Sequence, residues 1–74
     1  MNILPNPVIN SFVVDSESRI TQLQITDITG QLVRTVNSNS NIKEVNVNEL
    51  KEGLYFILAE SIDGRVKPLR FIKR

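Results

Sequence analysis

The feature that most constrains this chain is its supply of β-branched side chains. Eight Val, nine Ile and four Thr stand against a single alanine, Ala59, among 74 residues. β-Branched side chains are restricted at their first torsion, which disfavours a helix and suits the pleated surface of a sheet. Eight Asn residues lie mostly between the apolar runs, where turns are expected. The composition therefore predicts an all-β chain.

Turn signals divide the chain into short strands. Residues 21–26 alternate apolar and polar side chains with a period of two, which is typical of a strand with one face on a core. The run from Asp27 to Gly30 predicts a tight turn and makes residues 20–36 a β-hairpin. The Asp63-Gly64 pair predicts a second hairpin.

The expected elements fill most of the chain. They are strands over 9–15, 20–26, 31–36, 44–47, 54–60 and 65–73, a polar turn at 15–18, a polar loop at 37–41, and one helical turn at 48–53 that Asn48 caps and Gly53 ends. A tally of six or seven short strands without crossover helices favours an immunoglobulin-like antiparallel β-sandwich.

The same pattern predicts which side chains form the core. The strand 54–60 is apolar on both faces, so we expect it at the centre of a sheet. Pro68 has no amide donor, so we expect the last strand at a sheet edge or at a bulge. The expected core residues are Leu23, Ile25, Val33, Val45, Leu50, Phe56 and Leu58.

Composition also weighs against several functions. The chain has neither His nor Cys, which removes the commonest general base, the thiolate nucleophile and the main zinc ligands. We expect no cofactor, and Asp27 alone does not form a calcium site. A net charge of +1 offers no strong field for nucleic acid. No apolar run approaches the roughly 18 residues that span a bilayer. An enzyme is the least favoured class.

The basic C-terminal segment, residues 70–74, has two interpretations. In the first, its charges guard an edge strand against aggregation. In the second, it is a basic amphipathic strand offered to a receptor that binds by strand addition. The residues alone leave both interpretations open, and they also leave open a homodimer through an exposed edge strand.

Four motifs follow one another in a fixed order along the chain. They are Pro5-Asn6-Pro7, I-x-D-x-x-G-x-x-V (Ile25, Asp27, Gly30, Val33), L-x-x-G-x-Y (Leu50, Gly53, Tyr55) and D-G-x-x-x-x-x-R-F-I-K (Asp63, Gly64, Arg70, Phe71, Ile72, Lys73). Each is a common turn or strand end. Together, over residues 4–74, they resemble the type A C-terminal sorting domain of the type IX (Por) secretion system of Bacteroidota.

The resemblance implies a fold and a role. Members of that family form immunoglobulin-like sandwiches at the end of secreted or surface proteins. Their cargo crosses the inner membrane with a signal peptide, and an outer-membrane translocon then recognises the sorting domain folded in the periplasm. A sortase-like peptidase commonly removes the domain, and the cargo stays on the cell surface or is secreted. Carried over to this chain, recognition falls on Gly64, Lys67, Arg70, Phe71, Ile72, Lys73 and Arg74.

The resemblance also sets expectations for the chain as a whole. Residues 1–74 are expected to form a single sorting domain from a larger precursor, with Met1 added as an initiator. Leu4 replaces the family's usual aromatic residue, which is expected to weaken packing of the first strand. Pro68 interrupts a strand that the family usually fills with β-formers or lysine. Two alternatives remain, an immunoglobulin-like accessory module that binds surface glycan or protein, and a structural spacer.

Overall fold

The computed structural model describes residues 1–74 as a curled antiparallel sheet without a helix. Its strands are β1 (Asn2–Leu4), β2 (Ser11–Thr26), β3 (Leu32–Asn46), β4 (Gly53–Ser61) and β5 (Val66–Lys73). Strand β3 pairs with both halves of β2, β1 pairs with the first half, β4 pairs with the second half, and β5 pairs with β4. Every pair is antiparallel, which confirms the predicted all-β antiparallel class.

Five strands replace the predicted six or seven, because two pairs of expected strands are continuous. Strand β2 runs through the expected turn at 15–18, and β3 runs through the expected loop at 37–41. The β2–β3 ladder shifts register in this region. Side chains supply hydrogen bonds between the two strands in this region, since Asn41 Nδ2 donates to the Glu17 carbonyl at 2.8 Å. The polar residues therefore mark an irregularity within long strands and do not end them.

The prediction of a helical turn at 48–53 is wrong, since the chain forms a β-turn there. The Leu50 amide donates to the Val47 carbonyl at 3.0 Å. The capping side chain is Asn46, whose Oδ1 accepts from the Asn48 amide at 2.9 Å. Because β3 continues to Asn46, too few residues remain before β4 for a stable helix.

One apolar core lies inside the curl of the sheet. Phe12 of β2 meets Phe71 of β5 with ring centroids 4.9 Å apart, and Tyr55 of β4 stacks on Phe71 at 5.3 Å. These contacts join the first half of β2 to the C-terminal strands. The buried apolar residues are Val8, Phe12, Val14, Ile20, Leu23, Ile25, Val45, Val47, Tyr55, Ile57, Ala59 and Phe71.

The core predictions hold for one part of the chain and fail at a bulge. Leu23, Ile25 and Val45 are buried as predicted, and Leu50 packs half-buried against the core. The prediction for Val33 is wrong. The β2–β3 register shifts by one residue at this point, so Val33 lies on a bulge and is 38% exposed.

Strand β4 is central, as predicted, but its inward face was assigned wrongly. Phe56 and Leu58 are 39% and 45% exposed, whereas Ile57 and Ala59 are buried. Both faces of this strand are apolar, so alternation alone does not show which face is inward. The contacts of Tyr55 with β5 decide it.

Strand β5 is the outermost strand of the sheet order β1-β2-β4-β5. Pro68 therefore lies at an edge, as predicted, opposite Leu58 of β4. The strand begins at Val66, one residue later than expected, because Arg65 belongs to the preceding turn.

Candidate functional site: the C-terminal hairpin

The β4–β5 hairpin turns at residues 61–65. The Ser61 amide donates to the Arg65 carbonyl at 2.9 Å, and the Gly64 amide donates to the Ser61 carbonyl at 3.0 Å. Gly64 has a φ of +85°, a left-handed conformation that glycine adopts without steric penalty. The predicted hairpin at Asp63-Gly64 is confirmed.

The carboxylate of Asp63 closes this turn. Its Oδ1 accepts from the Ser61 hydroxyl at 2.5 Å and from the Arg65 amide at 3.1 Å. The Ser61 hydroxyl first, and then the Arg65 amide, hold the pKa of Asp63 below its ordinary 3.8, because both donors favour the charged form. The ionised Asp63 carboxylate thereby holds the turn closed through Arg65, and β5 begins at the next residue, Val66.

Strand β5 places alternate residues in two environments. Phe71 is fully buried between Phe12 and Tyr55. Lys73 is only 6% exposed, and its Nζ donates to the Arg74 carbonyl at 3.2 Å. The outward side chains are Val66, Pro68, Arg70 and Ile72. The strand is therefore anchored from inside and displays its other face to solvent.

The end of β5 is held by an N-terminal segment, residues 5–8. The Val8 amide donates to the Ile72 carbonyl at 2.7 Å, and the Arg74 amide donates to the Val8 carbonyl at 2.8 Å. In addition, Asn6 Oδ1 accepts from the Ile72 amide at 3.1 Å. The Pro-Asn-Pro motif and the C-terminal motif, which are separate in sequence, thus form one structure.

The seven residues expected to contact a translocon do not share one surface. Phe71 and Lys73 are buried, so their side chains are not accessible in this fold. The exposed residues are Gly64, Lys67, Arg70, Ile72 and Arg74. Arg70 and Ile72 share the outer face of β5, whereas Lys67 lines a polar cavity of about 310 Å³ on the other side.

The Asp27–Gly30 motif builds the β2–β3 turn by a related design. Asp27 Oδ1 accepts from the Thr29 hydroxyl at 2.6 Å and from the Thr29 and Gln31 amides at 2.9 and 3.1 Å. The Thr29 hydroxyl is the main cause that lowers the pKa of Asp27 below 3.8. Gly30 has a φ of +87°. These residues form a turn, and the side-chain hydrogen bonds of the Asp27 carboxylate all come from within it.

The third motif supports the C-terminal strand from within. Tyr55 is buried, its ring stacks on Phe71, and its hydroxyl donates to the Lys51 carbonyl at 2.8 Å. Gly53 begins β4 directly opposite Lys73 of β5. The motif therefore fixes the position of the end of β5 relative to the core.

Sequence reasoning missed Arg34. Its Nη1 donates to the Asn46 carbonyl at 2.5 Å, and its Nη2 pairs with Glu49. Arg34 lies opposite Ile25, so its side chain starts from the core side of β3 and ties that strand to the loop before β4. The signal that could have identified Arg34 is a charged residue at a position that faces the core. Which positions of β3 face the core is known only once the β2–β3 register is known.

The fold defines a small all-β domain in which residues 6–8 contact the end of the C-terminal strand at one edge of a curled sheet. The chain belongs to the family of secretion system C-terminal sorting domains, which matches residues 2–73. The resemblance carried by the four motifs is thereby confirmed. Membership makes the chain a sorting signal of type IX secretion and implies export to the cell surface or secretion. The family is one of sorting signals and not of enzymes.

A solved structure has the same fold. It comes from a study of PorZ, described as an essential bacterial surface component of the type-IX secretion system of Porphyromonas gingivalis. The TM-score is 0.73 at 21% identity, and the match covers 99% of this chain and 11% of that chain. At this identity the likeness concerns the fold alone. No curated protein matches the chain. The structure has no helix that is long and apolar enough to cross a bilayer.

Proposed function

We propose that the chain is the removable C-terminal domain of a larger secreted precursor. It folds in the periplasm and is recognised by the outer-membrane translocon of the type IX system. A sortase-like peptidase then separates it from the cargo at its N-terminus, and the cargo stays on the surface or is released. The observation that carries this proposal is the position of β5, an edge strand whose outer face is exposed and whose end is held in place.

The charge of the C-terminal segment supports presentation to a partner. Five of the nine Lys and Arg residues lie after Asp63, and no Asp or Glu follows it. The contacts of Asn6 and Val8 with the end of β5 hold this basic strand in one conformation. A strand that is already ordered loses less entropy when a partner binds it.

The pairing of β1 bears on where the peptidase cuts. Residues 2–4 pair with residues 13–15 of β2. Proteolysis concentrates in chain that is exposed and free of such pairing. We therefore propose that the peptidase cuts on the N-terminal side of Asn2.

The test is a reporter fusion. Residues 2–74 are fused to the C-terminus of a fluorescent protein that carries an N-terminal export signal, and the fusion is expressed in a host with the type IX system and in a matched host without it. We expect reporter on the surface or in the medium of the first host alone, with the domain removed. Retention in the periplasm of both hosts would contradict the proposal.

The same experiment separates sorting from an accessory binding module. An immunoglobulin-like module that binds glycan or protein would stay attached to the exported reporter. Glycan-binding surfaces commonly use exposed aromatic side chains, and three of the four aromatic residues here are buried, leaving only Phe56 exposed. The structure therefore favours sorting.

A further inference from the structure

The outer face of the β4–β5 hairpin is apolar, unlike the same face of the neighbouring strand. Its apolar side chains are Leu54, Phe56, Leu58, Val66, Pro68 and Ile72, and we call this surface the outer hairpin face. The β2 residues opposite Phe56 and Leu58 are Thr26 and Gln24, which are polar. A solvated sheet face is normally polar throughout. An apolar patch with a polar rim marks an interaction site.

Arg70 is the one cation within this face. It lies opposite Phe56, it is exposed, and no carboxylate lies within ion-pair distance of it. Beside it is a groove of about 370 Å³ lined by Asn6, Leu54, Arg70, Phe71 and Ile72. A guanidinium is planar and binds a carboxylate through two parallel hydrogen bonds. Glu60, the carboxylate on the same face, lies opposite Val66 near the turn and accepts a hydrogen bond from the Thr21 hydroxyl at 3.2 Å, so it does not pair with Arg70.

The edge of β5 is poorly suited to strand addition. The amide and carbonyl of Ile72 and the amide of Arg74 point away from β4, and they are already bonded to Asn6 and Val8. Alternate residues of a strand point to the same side, so Pro68 occupies a position where an added strand needs a donor. The end of the edge is thus covered, and its middle lacks the hydrogen-bond donor that Pro68 cannot supply.

We propose that the secretion partner binds the outer hairpin face and not the β5 edge, an inference that rests on the proposed function. The partner surface presents one Asp or Glu carboxylate surrounded by aliphatic or aromatic side chains. The carboxylate pairs with Arg70, and the apolar side chains cover Phe56, Leu58 and Ile72. The positive charge of Arg70 and the negative charge of the partner's carboxylate, together with apolar side chains on both sides, make the outer hairpin face and the partner surface complementary.

The size of the face sets the strength of this contact. The paired strands are about 20 Å long and about 10 Å wide, from the rise and spacing of strands. This is smaller than a standard stable interface and belongs with transient ones. An anionic lipid surface fits less well, because it holds proteins through several cations. Arg65 and Lys67 line the polar cavity and not this face.

The test uses the reporter fusion described above with single substitutions. Arg70→Glu and Leu58→Gln are expected to lower exported reporter by about tenfold, as the loss of an interface anchor does. Lys51→Glu makes the same charge change at an exposed position before β4 and outside the outer hairpin face, and we expect export within about twofold of the unchanged fusion. Arg70→Gln repeats the test if Arg70→Glu lowers the melting temperature of the isolated chain.

Pro68→Val separates the face from the edge. It restores an edge donor and keeps an apolar side chain, so strand addition predicts increased export, whereas binding through the outer hairpin face predicts no increase. Increased export with Pro68→Val, together with normal export of Arg70→Glu, would overturn the inference in favour of strand addition. Equal losses for Arg70→Glu and Lys51→Glu would overturn it in favour of a general charge effect.

Two further results keep this test separate from that of the proposed function. If the unchanged fusion is not exported, the proposed function fails; if it is exported and both face variants are too, only the present inference fails. Sedimentation of the chain with vesicles of phosphatidylglycerol and phosphatidylcholine in equal parts tests the lipid. Vesicle binding that Arg70→Glu abolishes would overturn the proposal of a protein partner in favour of an anionic lipid surface.

Discussion

The side chain of Asn6 accepts a hydrogen bond from the backbone amide of Ile72, 66 residues further along the chain, at 3.1 Å. Next to that contact, the Val8 amide donates to the Ile72 carbonyl and the Val8 carbonyl accepts from the Arg74 amide. The end of the β5 edge, at Ile72 and Arg74, is therefore covered by residues 6–8. The segment that follows β1 therefore holds the end of the C-terminal strand in place.

The first prediction concerns this hydrogen bond. Asn6→Ala leaves the Ile72 amide without its acceptor, and we expect a loss of about 1 kcal/mol in the free energy of unfolding. Hydrogen exchange at the amides of Ile72 and Arg74 should accelerate. The matched control is Asn39→Ala, an exposed position on β3. Equal stability of the two variants would contradict the role assigned to Asn6.

The second prediction concerns the two faces of the hairpin. Phe71 is fully buried against Phe12 and Tyr55. Phe71→Ala should cost about 3–5 kcal/mol, which is comparable to the whole stability of a domain of this size. We therefore expect it to be unfolded by circular dichroism, and Phe71→Leu to remain folded with a lower melting temperature.

The control for this prediction is Phe56→Ala, which removes the same atoms from the exposed face. We expect a smaller loss, about 1 kcal/mol, because Phe56 is 39% exposed and its removal leaves no enclosed cavity. A larger effect at Phe56 than at Phe71 would mean that the inward face of β4 is the other one.

The third prediction concerns Gly64. Its φ of +85° is unfavourable for other residues, while a Cβ added there meets nothing within 4 Å. Gly64→Ala should therefore destabilise by backbone strain alone, by about 1–2 kcal/mol in urea unfolding. Gly64→Asn should cost less, since Asn tolerates the left-handed region. Equal free energies of unfolding for Gly64→Ala and Gly64→Asn would contradict the left-handed conformation of residue 64.

The fourth prediction concerns acid. The pKa values of Asp27 and Asp63 are lowered in the folded chain, chiefly by the Thr29 and Ser61 hydroxyls. The stability that these carboxylates contribute is complete above their ordinary pKa of 3.8 and is lost as the pH falls through the lower folded values. Urea midpoints measured from neutral pH to below 3.8 should show this loss.

The variants Thr29→Val and Ser61→Ala each remove one hydroxyl donor. We expect each to reduce the loss of stability in acid, because the folded pKa of the neighbouring carboxyl then rises toward its ordinary value. An acid response identical to that of the unchanged chain would show that these turns do not contribute to it.

Much of the fold was predictable because its causes are local. β-Branched residues favour strands, and the Asp-to-Gly turns at residues 27–30 and 63–64 specify both hairpins from neighbouring atoms alone. The edge position of Pro68 followed from its missing amide. The four motifs also identified the family, because their order and spacing are properties of the sequence and do not depend on how the chain packs.

The tertiary structure decided the rest. Alternation could not choose the inward face of β4, because both faces are apolar and only the stacking of Tyr55 on Phe71 separates them. The same pairing decides that Phe71 and Lys73 are buried while Arg70 and Ile72 are displayed. The contact of Asn6 with Ile72 joins opposite ends of the chain, and such a contact exists only once the sheet has curled. The sequence alone thus determined the strands, the turns and the family, whereas folding determined which side of the last strand a partner can reach.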